Sequence, residues 1–135
     1  MSTLKELLST YASELNADIK LDRVNVSDVQ LKLPAIKGKW VARLMNHKAD
    51  LMELVDNRDT AVRSIAKKIK EDSPVAVHDG FTYKEAEQHE LIKKVDKEIH
   101  TQRNIIEYLE KVEKVVSSTT YDIKNLCELI KMETM

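Results

Sequence analysis

The chain has 135 residues, of which 42% are hydrophobic and 33% charged, so it has room for one domain with a modest core and is too apolar for wholesale disorder. With only two glycines and two prolines it is not a sheet protein, because turns between strands need those residue types. We therefore predict an all-α chain of long helices. A single Phe and a single Trp give little bulk for a self-contained core, which favours helices that share a core with partner chains.

The charge is distributed unevenly, although the net charge is only −1. Residues 35–70 carry nine basic and four acidic side chains, net +5, whereas residues 71–135 carry nine basic and fourteen acidic side chains, net −5. Residues 1–34 add −1. This asymmetry predicts either an anionic partner for the basic middle of the chain or head-to-tail attraction between copies.

Cysteine usage and hydropathy indicate a reducing, cytoplasmic compartment. Cys127 is the only cysteine, so neither an internal disulfide nor a zinc set is expected. No run approaches the roughly 18 apolar residues of a membrane span, and residues 1–16 lack the basic front and apolar stretch of a signal peptide. We expect no membrane partner.

The N-terminal third predicts two helices. Ser2 is predicted to cap the first, which has apolar residues at spacings of three and four and ends near residues 16–18. Residues 18–25 read as a connector, and residues 27–30 resemble a capping box that opens a second helix. Pro34 removes one backbone donor early in that helix, and the sequence leaves open whether it breaks or bends it.

Residues 35–70 predict one long helix with an apolar face. The positions on that face are Ile36, Trp40, Leu44, His47, Leu51, Leu54, Arg58, Val62, Ile65 and Ile69. The clearest break follows at residues 71–81, where Pro74 and Gly80 are turn signals. Residues 82–85 resemble a second capping box, so we predict that the last helical segment begins there.

The last segment has the most regular pattern. Counting alternately by three and four from Ile92 gives a heptad seam that passes through Gln102, Glu113 and Thr120 and is otherwise apolar or Cys. We predict that the seam holds copies of the chain together through Ile92, Val95, Ile99, Ile106, Leu109, Val116, Ile123, Cys127 and Ile130. Residues 117–120 form a weak helical patch that could divide the helix. The predicted organisation is one functional unit with a basic N-terminal region, 1–81, and an oligomerisation region, 82–135.

Residues that could act in catalysis are not arranged at the spacings of a known catalytic motif. His47, His78, His89 and His100 are scattered, and two glycines cannot build a phosphate-binding loop. Glu85 and His89 lie at helical spacing but lack a third ligand, so a solvated helix face is favoured over a metal site. Cys127 lies on the seam and is favoured as a core residue over a nucleophile. We therefore expect no enzymatic activity, no metal and no cofactor.

Basic side chains recur along the long helix in two clusters. The predicted DNA-binding residues are Lys37, Lys39 and Arg43 in the first cluster and Arg58, Arg63, Lys67, Lys68 and Lys70 in the second. Single-stranded nucleic acid is held in this way, with cations on the phosphates and aromatics on the bases. The plainer alternative is a solvated charged face. Trp40 could stack on a base, but its register with the apolar positions favours a core residue.

Five short motifs occur in order along nearly the whole chain. They are Leu4-Lys5-Glu6-Leu7 in the first helix, Lys39-Trp40 at the opening of the basic helix, Asp79-Gly80-Phe81 in the turn, Asp96-Lys97-Glu98, and Tyr121-Asp122-Ile123-Lys124 in the last helix. In this order and spacing the chain resembles the bacteriophage UvsY family of recombination mediator proteins.

The resemblance implies a role in phage DNA recombination, repair and replication. It implies binding to single-stranded DNA, destabilisation of the coat of single-stranded-DNA-binding protein, and loading of a RecA-like phage recombinase. It also implies a closed ring of about six or seven identical subunits, held by the C-terminal helices, in the cytoplasm of an infected bacterial host cell. The alternative is a helical scaffold that self-assembles without nucleic acid, its basic middle paired with the acidic C-terminal half of a neighbour.

Overall fold

The computed structural model describes residues 3–134, which form four helices. They are α1 (Thr3–Ile19), α2 (Val26–Asp72), α3 (Asp79–Glu87) and α4 (Glu90–Thr134). No strand occurs within these residues, so the predicted all-α class is confirmed.

The described residues group into two compact units. Unit 1 contains the residues up to Asn46 and those from Ile105 onward, and unit 2 contains residues 47–104. The long helices α2 and α4 each contribute to both units, because both pass through the boundaries between them. The grouping follows the packing of helices and not the order of the chain, so it differs from a division at residue 81.

The entry to α2 differs from the predicted capping box. The helix begins at Val26, and the Asn25 carbonyl accepts the first helical hydrogen bond, from the Val29 amide at 2.9 Å. The preceding turn is held by the Asp22 carboxylate, which accepts from the amides of Val24 and Asn25 at 2.8 Å. Such short side-chain turns organise the backbone before a helix. The predicted cap of the first helix, Ser2, lies outside the described residues.

Pro34 does not break α2, which continues through it from Val26 to Asp72. Proline removes one backbone donor, so the carbonyl of Gln30, four residues earlier, loses its helical partner. Both Pro34 and Gln30 are exposed, so water can solvate that carbonyl. Of the two possibilities that the sequence left open, a break of the helix at Pro34 does not occur.

The connection after α2 is shorter than predicted. It is followed by a short helix, α3, which was not predicted because its first residues include the turn signal Gly80. Residues 73–78 are irregular, and α3 begins at Asp79, so Gly80 lies in its first turn. His78 is the N-cap, because its Nδ1 accepts from the Gly80 amide at 3.0 Å. The predicted capping box at Thr82 was wrong: Thr82 lies inside α3, and its hydroxyl donates to the Asp79 carbonyl at 2.8 Å.

Helix α4 begins at Glu90, after a break at residues 88–89, and runs without interruption to Thr134. The serine and threonine patch does not divide it, because its hydroxyls are bonded within the helix. Ser118 donates to the Lys114 carbonyl at 2.8 Å, and the buried Thr119 donates to the Val115 carbonyl at 3.1 Å. Hydroxyl bonds to the preceding turn are the usual way in which a helix accommodates these residues.

The core of unit 1 is formed by α1, the first part of α2 and the last part of α4. Its buried apolar side chains are Leu15, Val26, Val29, Leu33, Ile36, Trp40, Leu44, Ile105, Ile106, Leu109, Val112, Val116 and Ile123. Full burial of one such aliphatic side chain contributes about 1.5–3 kcal/mol relative to exposure. The apolar side chains that recur along these helices are therefore buried largely within one chain.

The core of unit 2 is smaller. Val62, Ala66, Ala86 and Ile92 form its buried cluster, and Ala61, Ile65 and Ile69 pack against it. Ala86 places α3 against α2 with no exposed surface. This packing fixes α3 beside the basic second half of α2.

The predicted apolar face of α2 is confirmed: all ten positions from Ile36 to Ile69 are buried or half-buried. Ten of the twelve seam positions in α4 are buried or half-buried, and at the other two positions the buried face is shifted by one residue. Glu113 and Thr120 are exposed, whereas their neighbours Val112 and Thr119 are buried. Two successive steps of three residues from Ile106 cause the shift, because an α-helix of 3.6 residues per turn does not keep a strict heptad face.

Candidate nucleic-acid interface

Trp40 is a core residue of unit 1, with 1% of its surface exposed. Its Nε1 donates to Asp18 Oδ2 at 3.0 Å, and the Tyr11 ring meets it edge-on at 5.7 Å between centroids. The interpretation of Trp40 as core is thus confirmed. A base cannot stack on a ring that the protein already covers.

Lys39 and Arg43 are engaged by the carboxylates of α1. Lys39 Nζ lies 2.5 Å from Asp18 Oδ2 and 3.7 Å from Glu14 Oε2. Arg43 donates to both carboxylate oxygens of Glu14, and its Cζ lies 4.8 Å from the centroid of the Trp40 ring. These pairs are only partly exposed, so the two cations are largely neutralised within unit 1 and join α1 to α2.

Lys37, the remaining cation of the first cluster, has a neutral partner. Its Nζ donates to the Thr120 hydroxyl on α4 at 3.1 Å, in an exposed position. A hydroxyl does not cancel the ammonium charge, so Lys37 still attracts anions. Of the first cluster, only this residue keeps a charge that an intrachain carboxylate does not offset.

Arg58 and Lys70 in unit 2 are also paired. Arg58 Nε donates to Asp96 at 2.5 Å and its Nη2 to Glu87 at 3.3 Å. The hydrogen bond that Arg58 donates to Asp96 is the main cause of the raised pKa of Arg58. Lys70 Nζ lies 2.8 Å from Asp79 Oδ1, which raises the pKa of Lys70 and lowers the pKa of the Asp79 carboxyl. Arg58 thus holds α2 against α4, and Lys70 holds it against the start of α3.

Three predicted DNA-binding residues are exposed and unpaired. Within residues 3–134, Arg63, Lys67 and Lys68 have no hydrogen-bond or ion-pair partner. Arg63 and Lys67 are four residues apart, so they lie on one face of α2, and Lys68 follows 100° around the helix. These three exposed cations lie within about one and a half turns of α2 in unit 2 and are here called the free basic patch.

Tyr83 of α3 lies beside this patch, and the sequence pattern did not indicate it. It lines a shallow groove of about 440 Å³ with Arg63, Val62 and Asp59 of α2, and Arg58 and Glu87 complete the lining. The Tyr83 side chain is 41% exposed. Only the return of α3 onto α2 brings this tyrosine next to Arg63, so sequence spacing alone could not have found it.

No family model, curated protein or solved structure matches this chain. In the part of the chain that the structure describes, no group of three His, Cys, Asp or Glu residues is arranged to hold a metal ion. No helix among the described residues is long and apolar enough to cross a membrane.

The residues predicted to hold copies together lie mostly inside the single chain. Ile92, Ile99, Ile106, Leu109, Val116 and Ile123 are buried, and Val95, Cys127 and Ile130 are half-buried. A side chain that is already buried in one chain adds no apolar area to a contact between chains. A surface for assembly would have to be formed by other residues.

Proposed function

We propose that this protein binds single-stranded DNA through the free basic patch and acts as a recombination mediator. The observation that carries the proposal is that Arg63, Lys67 and Lys68 are exposed and unpaired, whereas Lys39, Arg43, Arg58 and Lys70 are each matched by an intrachain carboxylate. Unmatched cations on one helix surface are free to neutralise phosphates, and the counterions that they displace drive binding.

Contacts of this kind determine the character of the binding. Phosphates carry no sequence information, so the protein is expected to bind strands of different sequence with similar affinity. Three cations form a weak site on their own, and a strand that engages several copies gains avidity of about 10²–10⁴. The proposal therefore includes a homo-oligomeric ring, as the resemblance to the UvsY family implies.

In this role the protein would act on DNA that is already coated. Its basic patches would compete with the single-stranded-DNA-binding protein for phosphates and hold the strand while a RecA-like recombinase is loaded. No bond is made or broken in this process, so it needs neither a catalytic group nor a cofactor. The clustered, shallow site fits a phosphate backbone better than a small molecule, which needs an enclosed pocket.

One exposed face of α2 in unit 1 is suited to assembly. Leu31, Ala35, Gly38, Ala42 and Met45 recur at spacings of four and three, and all five are exposed. Leu31 is 82% and Met45 57% exposed, and a side chain placed at Gly38 would meet nothing within 4 Å. Heptad spacing with small central residues allows close approach of a helix from a second copy. We propose this face, and not the buried seam of α4, as the contact between subunits.

The alternative proposal is a scaffold that assembles through the same face and binds no nucleic acid. It is favoured by the apolar character of the face, which serves assembly whether or not DNA is present. The two proposals differ in their response to an oligonucleotide.

Size-exclusion chromatography with light scattering, with and without a labelled single-stranded oligonucleotide, separates the proposals. A mediator is expected to form an oligomer of more than about four subunits that carries the strand at low salt and releases it at high salt. Met45→Lys is expected to reduce the oligomer mass, whereas Lys20→Met, at an exposed connector position, is not. An oligomer that ignores the strand supports the scaffold, and a monomer that ignores it contradicts both.

A further inference from the structure

Tyr83 combines an exposed aromatic ring with a rigid support. Helix α3 is capped by His78, and the buried side chains of Thr82 and Ala86, 2% and 0% exposed, flank Tyr83 along the helix. Ala86 belongs to the core cluster of unit 2. The backbone that carries the tyrosine is therefore fixed, while its ring remains 41% exposed at the groove beside Arg63.

The charges around the groove indicate which part of a nucleotide would occupy it. Glu87 is already paired with Arg58, but Asp59 has no partner among residues 3–134. An unpaired carboxylate repels phosphate and tolerates an uncharged ring. The groove beside Tyr83 therefore suits a base, and the phosphates are left to the outer cations Arg63 and Lys67.

We propose that Tyr83 is a base-stacking residue of the single-stranded DNA site. One nucleobase lies against the Tyr83 ring while the phosphates on either side of it pair with Arg63 and Lys67. Every base has a π face, so stacking adds affinity without imposing a sequence. This inference rests on the proposed DNA-binding function and adds to it a residue that discriminates strands with bases from strands without them.

The test compares an oligothymidylate with an otherwise identical strand of abasic sites, by fluorescence anisotropy at low salt. Wild-type protein is expected to bind the oligothymidylate more tightly. Tyr83→Leu is expected to weaken that binding about tenfold per contacted base and to leave abasic binding unchanged. Tyr83→Phe keeps the ring and should behave like wild type.

Tyr121→Leu is the matched control, because Tyr121 is 70% exposed on α4 and belongs to unit 1, whereas the free basic patch belongs to unit 2. The salt dependence of binding should be the same for Tyr83→Leu and wild type, since no phosphate contact is removed. Circular dichroism checks that each variant is folded.

The outcomes separate this inference from the function on which it rests. If wild-type protein binds neither strand, the proposed DNA-binding function fails. If wild-type protein binds but Tyr83→Leu binds the oligothymidylate equally well, or loses affinity for both strands alike, base stacking at Tyr83 is wrong and the phosphate contacts stand.

Discussion

Reversing Arg63 and Lys67 together to glutamate is expected to weaken binding to single-stranded DNA about ten- to hundredfold at low salt. Each substitution removes a phosphate contact and adds repulsion from the same position on α2. Neither side chain has a partner within residues 3–134, so the free energy of unfolding should change by no more than about 0.5 kcal/mol. Anisotropy titration of a labelled oligonucleotide measures the affinity, and urea unfolding measures the stability.

Lys114→Glu with Lys124→Glu is the control for net charge. Both lysine side chains are exposed on α4 in unit 1 and have no ion-pair partner within the described residues. Each variant replaces two cations with two glutamates, so the change in total charge is identical. This variant is expected to bind nearly as wild type. Equal loss in both variants would mean that net charge, and not the patch, governs binding. Loss of the oligomer in the Arg63 and Lys67 variant would contradict the separation of DNA binding from assembly.

Replacing Trp40 with alanine is expected to destabilise the protein by about 3–5 kcal/mol, the largest effect of any single substitution considered. The indole is fully buried, bonds Asp18, and carries Arg43 above its ring. Its removal leaves a cavity and also loosens α1, which reaches α2 through these same groups. Urea unfolding followed by circular dichroism measures the change.

Met45→Ala is the control for this substitution, because Met45 lies on the same helix but is 57% exposed. In dilute protein it should cost less than about 0.5 kcal/mol. Trp40 is the only tryptophan, so its fluorescence also reports directly on DNA contact. We expect no quenching when a strand binds. Strong quenching would mean that the bound strand contacts Trp40. A stability loss no larger than that of Met45→Ala would mean that Trp40 is not a core residue.

Much of the fold followed from local pattern. The apolar register of α2 is set by residue spacing, and every predicted position from Ile36 to Ile69 is covered. The errors occurred where a local signal has two structural meanings. Gly80 and Thr82 read as a turn and a cap, but His78 supplies the cap and both residues lie within α3. Pro34 is tolerated because its side of the helix faces water.

Which cations are paired with carboxylates and which remain unpaired could not be predicted from the sequence. Arg43 and Arg63 look equivalent in the pattern, yet one meets Glu14 of α1 and the other meets no carboxylate in the described chain. The difference depends on which helices pack against each part of α2, a tertiary property. The same holds for the α4 seam, whose heptad spacing is compatible with packing inside one chain or between chains.

The salt dependence of wild-type binding to a labelled single-stranded oligonucleotide is the most direct test of the free basic patch as a phosphate-binding surface. We expect log K to fall linearly with log salt concentration, with a slope of about −2 for the three cations of one subunit and steeper if several subunits share the strand. The Arg63 and Lys67 variant should flatten that slope. If the wild type does not bind at low salt, or binds with an affinity that salt leaves unchanged, the patch is not a phosphate-binding surface.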